Sequence, residues 1–271
     1  MDRQGIIASA AKFTLDSPCN YVAEQIAIDP SYTGMQLFEP PIFSFGSADD
    51  ELYAQYKSLD VIGDNFLPPR EWLPTAETVI SFFLPHTERI KEANARDFKW
   101  PAGEWLHGRV EGQVFLNELT LYIKKLIAEE GFQSVIPILD SRFKVGNATN
   151  KQTSNWSERH AAFACGLGTF GLSKGIITEK GTCGRLGSII TEMGFTKDRR
   201  LYDSVYEYCL MCGACIDHCP AQAISLKEGK DHQLCSDFLD ITREKEYPRY
   251  GCAKCQVDVP CESMIPGMMH Q

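Results

Sequence analysis

Apolar residues recur with helical spacing in three separate stretches of the chain. Residues 6–28 predict one helix or two. A longer helix is predicted from Gly112 to Gly131, where apolar side chains fall on one face and charged side chains on the others. In the third stretch, Ser157 is placed to cap a helix over residues 158–165. The chain therefore contains at least one long amphipathic helix.

Short apolar runs between these helices predict strands. Runs of this length, bounded by glycine, proline or polar residues, are typical of buried strands. The predicted strands are residues 42–46, 78–84, 134–139, 176–178 and 186–191. The order of strand, helix and strand around the long helix favours an α/β layer over a helical bundle. We therefore predict a mixed fold of class α/β (α+β).

Three glycines after the third helix match the pattern G-x-G-x-x-G, at Gly166, Gly168 and Gly171. A dinucleotide-binding fingerprint with this spacing follows a strand and opens a helix. Here the order is reversed, because the helix comes first and ends at Gly166. We interpret these glycines as a tight helix exit that lets the backbone approach a bulky group.

The densest chemical signal is a run of four cysteines spaced C-x2-C-x2-C-x3-C and followed at once by a proline. This spacing is typical of 4Fe-4S proteins, in which three of these thiolates bind one cluster and the fourth binds another. A second group of cysteines must then follow, and four more do. The run comprises Cys209, Cys212, Cys215 and Cys219, and the later cysteines are Cys235, Cys252, Cys255 and Cys261.

These eight cysteines suffice for two 4Fe-4S clusters. The fourth cysteine of the run is expected to serve the other cluster, so the two sets cross over in sequence. The first predicted set is Cys209, Cys212, Cys215 and Cys261. The second predicted set is Cys219, Cys235, Cys252 and Cys255.

Structural zinc and disulfides are two other uses of cysteine, and the sequence favours neither. Structural zinc normally binds two separated cysteine pairs, and a run this dense crowds a single tetrahedral ion. Disulfides need an oxidising compartment, and the N-terminal sequence has no recognisable export signal. The three isolated cysteines, Cys19, Cys165 and Cys183, are predicted to be small buried hydrophobic residues.

Composition limits the class of protein. The chain has 271 residues, 44% of them apolar and 23% charged, and a net charge of -9. This acidity disfavours a general nucleic-acid binder, which normally has a basic domain. No apolar run approaches the roughly 18 residues that a membrane span needs. We expect a cytoplasmic globular protein with an α/β domain over residues 1–198 and a cluster domain over residues 199–271.

Asp140 directly follows the predicted strand 134–139. Carboxylates at such strand ends often belong to functional sites of α/β folds. Burial would raise the pKa of this carboxyl toward the range of a proton donor. The alternative is a structural role, as a loop cap or as an ion-pair partner of Arg142. The residues alone favour the structural role.

Taken together, the capped helix with its glycine exit and the cysteines give the chain a family resemblance. It resembles the epoxyqueuosine reductases and, more distantly, the cobalamin-dependent reductive dehalogenases. The resemblance extends from about Pro74 to Cys261. It rests on the segments SERHAAFACGLGTFGLSKGIITEKG, RLGSIITEM, CLMCGACIDHCPAQAI, the lone Cys235 and YGCAKCQ.

The resemblance implies a base-off corrinoid (cobalamin) in an α/β domain like that of flavin nitroreductases, beside a ferredoxin-like domain with the two clusters. Electrons would pass through the clusters to cobalt, and an acid would supply the proton. The family's acid is an aspartate after the long helix. Asp140 occupies that place, so the resemblance implies a catalytic role for it. The positions that match the family's corrinoid contacts are Ile176, Gly187, Ile190 and Ala253.

Three departures from the family pattern bear on the site and its substrate. In CQVDVPC, five residues separate Cys255 from Cys261, and the proline precedes the last cysteine. The loop between Asp140 and Trp156 is longer than the family's. The sequence ends at Gln271 without the helical repeats that help tRNA-modifying members engage RNA. Combined with the acidic charge, this disfavours a tRNA substrate.

Two hypotheses of function follow. The leading one is an iron-sulfur oxidoreductase that passes electrons through two 4Fe-4S clusters to a bound corrinoid, which reduces a small molecule or a modified nucleoside. The alternative is a ferredoxin-type electron-transfer protein without a corrinoid site of its own, serving a partner enzyme. An electron donor such as ferredoxin or flavodoxin is implied. A flavin enzyme on the same architecture is a third possibility, although no residue is specific for flavin.

Overall fold

The computed structural model describes residues 1–146 and 153–267. Residues 147–152, part of the loop expected between Asp140 and Trp156, lie outside these ranges. The helices are α1 (Arg3–Asp16), α2 (Leu52–Gln55), α3 (Pro69–Trp72), α4 (Glu88–Ala95), α5 (Gly103–Glu129), α6 (Glu158–Cys165), α7 (Ala214–Asp217) and α8 (His232–Lys245). The strands are β1 (Ile42–Ser47), β2 (Thr78–Pro85), β3 (Ser134–Val135), β4 (Gly168–Phe170), β5 (Ile176–Thr178), β6 (Gly184–Thr191), β7 (Ile224–Ser225) and β8 (Gly229–Lys230).

A four-stranded antiparallel sheet in the order β1-β2-β6-β3 lies at the centre of the fold. β2 pairs with β1 on one side and with β6 on the other, and every one of its residues is buried. The apolar run that predicted this strand therefore forms an inner strand with both faces covered. Helices pack on a mainly antiparallel sheet, which confirms the mixed fold class and places it with the α+β variety.

Alternate residues of β2 face two different cores. Ile80 and Phe82 pack in the core that contains α1 and α5, where Phe115 is completely buried. Val79 faces the opposite side and packs with Ala161 of α6. α5 is the longest helix, at 27 residues. No helix in the described ranges is both long and apolar enough to cross a membrane.

The predicted elements agree with the structure where the apolar pattern is uninterrupted. The α6 prediction is confirmed at both ends: the Ser157 side chain accepts a hydrogen bond from the His160 backbone amide, and Gly166 ends the helix with a left-handed φ of 91°. α5 starts at Gly103, earlier than predicted, because Trp105 and neighbouring residues are also buried. A glycine at position 112 does not break this helix; it makes room for the ring of Phe38.

The predicted strand over residues 134–139 is wrong beyond Val135. Pro137 cannot donate a ladder hydrogen bond, so the chain leaves the sheet there and forms a 3-10 turn, Pro137–Leu139. The predicted strands at 176–178 and 186–191 both exist, but they belong to different sheets. β5 pairs with β4, whereas β6 joins the central sheet.

The last cysteine segment is held against the β5–β6 connection by backbone hydrogen bonds. The Thr182 amide donates to the Cys261 carbonyl at 2.9 Å, and the Cys183 amide donates to the Glu262 carbonyl at 3.1 Å. Gly181 adopts a φ of 75°, and a Cβ atom there would overlap the Glu262 backbone. A glycine at this position is therefore required both for its conformation and for the close approach of the two segments.

Gly181→Ala should destabilise the protein by more than Gly34→Ala does, as measured by chemical denaturation. Both glycines have a φ of 75°, but nothing lies within 4 Å of a Cβ built at Gly34. The conformational cost alone is about 1 kcal/mol, and the clash at Gly181 adds about 1–3 kcal/mol. Equal destabilisation by the two variants would contradict the close approach.

Candidate functional site

The structure brings the first predicted set of cysteines together around one apolar pocket. Cys209, Cys212 and Cys215 come from the run before and within α7, and Cys261 comes from the C-terminal segment. The pocket between them is otherwise lined by apolar side chains such as Leu172. The five residues between Cys255 and Cys261 therefore do not keep the last cysteine away from its set.

The second set lines a different cavity, of about 250 Å³, which we call the inner cavity. Its cysteines come from the end of the run, from α8 and from the C-x2-C pair after it. Helix α8 begins at His232, so its first turn carries one of these cysteines. The members of this set are Cys219, Cys235, Cys252 and Cys255.

A left-handed residue lies inside each C-x2-C pair that contributes to these cavities. Met211 precedes Cys212 with a φ of 51°, and Ala253 follows Cys252 with a φ of 56°. This conformation is unfavourable for L-residues other than glycine, asparagine and aspartate. Both residues adopt the left-handed conformation where the chain turns sharply between two thiols that line the same cavity.

The chemistry of these thiols fits a positively charged metal group. Burial, followed by the neighbouring thiols, raises the pKa of Cys215 and that of Cys261 to about 12. Burial likewise raises the pKa of Cys252 to about 12. Iron bound at these positions would supply the positive charge that stabilises thiolates. Among the described residues, no three cysteine, histidine or acidic side chains converge on a single metal ion.

The cysteines outside the two sets behave largely as predicted. Cys165 and Cys183 are buried, each with about 1% of its surface exposed. Cys19 is only partly buried, so the prediction of a buried hydrophobic residue is wrong there. All eleven cysteines are free thiols.

A larger cavity of about 470 Å³ adjoins the inner cavity and opens between the sheet, α6 and the segment before β5. We call it the outer cavity, and the two together the cleft. The residues that border both cavities are Arg109, Gly184, Arg185, Lys230 and Gln256. A ligand in the outer cavity would therefore lie next to the second set of cysteines, within a volume typical of small-molecule sites.

Positive side chains dominate the wall of the cleft although the protein as a whole is acidic. Arg159 donates a hydrogen bond to the Lys174 carbonyl at 2.8 Å, and both residues line the outer cavity. The Lys230 ammonium lies 4.0 Å from the Cys255 sulfur. Burial, and then the proximity of Arg109, lowers the pKa of Arg185 to about 10. This concentration of charge favours anionic ligands.

Glu158 is the single acidic residue among the described residues that line the cleft. Both of its carboxylate oxygens are buried without a hydrogen-bond partner in the described part of the chain. Burial raises its pKa to about 7, against the weaker opposite effect of the Ser188 and Trp156 side chains. Burial therefore gives the Glu158 carboxyl a higher pKa than that of an ordinary surface carboxylate.

Asp140 lies beside the outer cavity but does not line it. Arg142 donates to both of its carboxylate oxygens, at 2.8 and 2.9 Å. These hydrogen bonds lower the pKa of Asp140 to about 2. The expectation of a raised pKa is wrong for this conformation, because the carboxylate is ion-paired rather than desolvated. Its neighbours Ile138 and Phe143 do line the cavity.

The four residues that matched corrinoid contacts are divided between the cleft and the core. Ile176 lines the outer cavity and Ala253 the inner one. Gly187 faces the ring of Phe82 so closely that a Cβ atom would clash with it. Ile190 is fully buried in the sheet core. Only the first two border a described cavity, and a corrinoid contact remains a prediction for all four.

Sequence patterns did not predict the charged lining of the cleft. Glu158 follows a capping serine, so it looks like an ordinary first-turn acid. Arg109 lies on α5 among residues whose periodicity gives no sign of a cavity. Arg185 carried a usable signal, because a charge at the start of an otherwise apolar strand calls for an explanation.

Comparisons with known proteins agree with this geometry. The family described as the 4Fe-4S binding domain matches residues 204–225. An epoxyqueuosine reductase of Cellulophaga algicola is 26% identical over 209 residues, which cover 71% of this chain and 60% of that protein. One of Staphylococcus aureus is 28% identical over 208 residues, covering 71% and 50%. The matches thus span about half to three fifths of the relatives' own lengths.

Solved structures show the same fold. An epoxyqueuosine reductase with an epoxyqueuosine-modified tRNA stem loop has a TM-score of 0.53 at 23% identity, covering 82% of this chain and 61% of that one. One from Bacillus subtilis, with its catalytic loop swung out of the active site, has a TM-score of 0.52 at 21% identity, covering 85% and 63%. A catabolic reductive dehalogenase has a TM-score of 0.52 at 14% identity, covering 97% and 37%.

The fold, the cysteine-lined cavities and the matched domain define an iron-sulfur protein with a 4Fe-4S binding domain on a mixed α/β body. More particularly, the chain is epoxyqueuosine reductase-like: it resembles those enzymes in sequence and in fold. It shares its fold, more distantly, with the reductive dehalogenases.

Glu158→Gln should remove a pH dependence of stability. An acid whose pKa rises from 4.5 to about 7 on folding stabilises the folded state at low pH, and this contribution is lost as pH rises through that window. Between pH 4.5 and 8, the variant should therefore gain up to about 3 kcal/mol relative to the wild type in chemical denaturation. The exposed Glu244→Gln is the control; a parallel pH profile for wild type and Glu158→Gln would contradict the buried acid.

Proposed function

We propose that this protein is an oxidoreductase that passes electrons through two 4Fe-4S clusters to a corrinoid held in the cleft, where a small molecule or modified nucleoside is reduced. The observation that carries the proposal is that the outer cavity directly adjoins the inner cavity, which is one of two cavities lined by four cysteines. The similarity to epoxyqueuosine reductases supports it. We place the protein in the cytoplasm, where free thiols persist.

Each cysteine set would hold one cluster, with four thiolates for four irons. The apolar pocket takes the cluster of Cys209, Cys212, Cys215 and Cys261. The inner cavity takes the cluster of Cys219, Cys235, Cys252 and Cys255. Cys212 is exposed, so electrons would enter from the surface at the first set and leave toward the cleft at the second. An external donor such as ferredoxin or flavodoxin would supply them.

The cleft offers the corrinoid a mixed surface rather than an enclosed pocket. Ile176 and Ala253 provide apolar contacts, and Gly184, without a side chain, borders both cavities. When bound, a corrinoid supplies the reducing power of low-valent cobalt. The protein would hold it beside the second cysteine set and leave the open side of the outer cavity for the substrate.

Asp140 is the acid that we propose for the reaction. Ile138 and Phe143 line the outer cavity on either side of it, so a modest movement of this loop would turn its carboxyl inward. If the Asp140 carboxyl moved away from Arg142, its pKa would rise from about 2. A proton donor requires such a rise. The Bacillus subtilis enzyme, whose catalytic loop is swung out in one structure, offers a precedent for such movement.

Two classes of substrate fit the proposal: a free small molecule and a nucleoside within RNA. The negative net charge argued against tRNA, yet a related enzyme has been solved with a tRNA stem loop. The cleft itself is lined with arginine and lysine, so the total charge of the protein does not decide the matter. We therefore include an epoxyqueuosine-modified RNA stem loop among the substrates to be tested.

Anaerobic reconstitution with iron, sulfide and cobalamin, followed by desalting, tests the proposal. About eight irons and one cobalt per chain are expected. Iron without cobalt would favour the alternative, an electron-transfer protein that serves a partner enzyme. Retention of zinc in place of iron would contradict both.

Cys212→Ala and Cys219→Ala should each lose about half of the iron, that is about four of about eight atoms, because they disrupt different cysteine sets. Cys19 lies outside both sets, so the control variant Cys19→Ala should keep all of its iron. Iron analysis of the three reconstituted variants checks this assignment. Full iron content in Cys212→Ala would be incompatible with it.

Asp140→Asn should lower turnover of the loaded protein at least about 100-fold, because the amide cannot supply the proton. Arg142→Gln is the matched control, since it breaks the same ion pair but keeps the carboxyl group. We expect it to stay near the wild-type rate with an epoxyqueuosine-modified stem loop as substrate. Equal losses in the two variants would assign the pair a structural role instead.

A further inference from the structure

Two guanidinium groups in the cleft are not neutralised by the protein. Arg109 on α5 and Arg185 on β6 border both cavities. Arg185 Nη2 donates a 2.6 Å hydrogen bond to the Arg109 backbone carbonyl, which anchors the Arg185 side chain to helix α5 at the residue that carries the other guanidinium. The arginine ion pairs found in the described ranges involve other residues.

Arg109 is fixed in place, but one of its hydrogen-bond donors, Nε, has no acceptor among the described residues. Its guanidinium lies 4.3 Å from the centroid of the Tyr250 ring, and Arg243 covers the same ring at 4.2 Å. Its Nε atom is buried and has no hydrogen-bond partner within the described part of the chain. A buried charged donor without an acceptor is unfavourable, so an acceptor supplied by a ligand would stabilise this arrangement.

The wall around the two arginines is positively charged, so it favours anions over cations. Lys230 borders the same cavities, but its ammonium faces the Cys255 sulfur at 4.0 Å. The one acid among the described lining residues, Glu158, has both oxygens buried and forms no ion pair with the arginines in the described ranges. Among the described residues, no carboxylate in the wall of the cleft therefore forms an ion pair with either arginine.

We propose that Arg109 and Arg185 form an anion-binding site that holds one phosphate or carboxylate group of the ligand in the cleft. Planar guanidinium groups bind such oxyanions through paired, charge-assisted hydrogen bonds. The adjoining space of about 470 Å³ can take the rest of a small ligand. This site depends on the shape and charge of the cleft, and it exists whether or not a corrinoid binds there.

Calorimetric titration of the iron-loaded protein with inorganic phosphate tests the site directly. Wild type should bind phosphate saturably. Arg185→Gln and Arg109→Gln should each weaken binding about tenfold or more, the loss expected for a charged hydrogen-bond partner. Arg142→Gln, which removes an arginine that lies outside the cleft lining, should bind like wild type. Absence of saturable binding, or equal binding by Arg142→Gln and both cleft variants, would overturn the proposal.

Two natural sources share this chemistry: the phosphodiester in the nucleotide loop of cobalamin, and an anionic group of the substrate. Comparing retention of cobalamin with that of cobinamide, which lacks the phosphodiester, separates them. If the corrinoid is the source, Arg185→Gln weakens binding of cobalamin only. If the substrate is the source, the variant retains both corrinoids like wild type while phosphate binding is still weakened. Failure to bind any corrinoid would count against the proposed function and leave the phosphate result to decide the anion site.

Because Arg185 is part of the central sheet, its replacement must be shown to leave the fold intact. Arg185→Lys keeps a positive charge but loses the planar fork, so it should bind phosphate with intermediate affinity. Iron content and thermal unfolding of each variant are compared with wild type. If Arg185→Gln fails to fold, the Arg109→Gln result decides, because the proposal requires the same loss of phosphate affinity from either arginine.

Discussion

The structure depends on the close backbone contact between the β5–β6 connection and the last cysteine segment. Hydrogen bonds from Thr182 and Cys183 hold the Cys261 and Glu262 carbonyls, and Gly181 leaves the space for them. This contact places a cysteine from the end of the chain among three that come 46 or more residues earlier. The contact thus completes the first cysteine set, which lines the apolar pocket. A separate contact holds the other set: the buried Lys254, which lies between Cys252 and Cys255, donates to the Asn94 carbonyl of α4 at 2.6 Å.

Sequence patterns predicted those parts of the fold that local chemistry decides. The Ser157 cap and the glycine exit at Gly166 fixed α6 at both ends, and the cysteine spacing predicted which thiols share a cavity. Patterns failed where a single residue changed the local geometry, as Pro137 does by ending β3 after Val135. They also failed for the lining of the cleft. Arg109, Glu158 and Arg185 lie on three different elements, and only the tertiary packing brings them to one cavity.

The two acids near the outer cavity illustrate why a residue's environment, rather than its position in the sequence, sets its chemistry. Asp140 sits where functional carboxylates are often found, yet Arg142 keeps it ionised. Glu158 looks like a helix-start residue, yet burial keeps its proton near neutral pH. In many active sites, two nearby acids have pKa values shifted in opposite directions, so that one stays ionised while the other carries a proton. In this cleft Arg109 and Arg185, which form no ion pair in the described ranges, add a third electrostatic element, the one proposed to bind an anionic group.

The left-handed residues Met211 and Ala253 also have a consequence for the life of the protein in the cell. Each costs roughly 1 kcal/mol in an L-residue, a cost that metal bound to the flanking thiolates would offset under the proposed function. A newly synthesised chain would therefore reach its final backbone at these two turns only after it has been loaded. In unloaded copies the backbone would therefore be less firmly held at these two turns, next to the thiols that bind the metal.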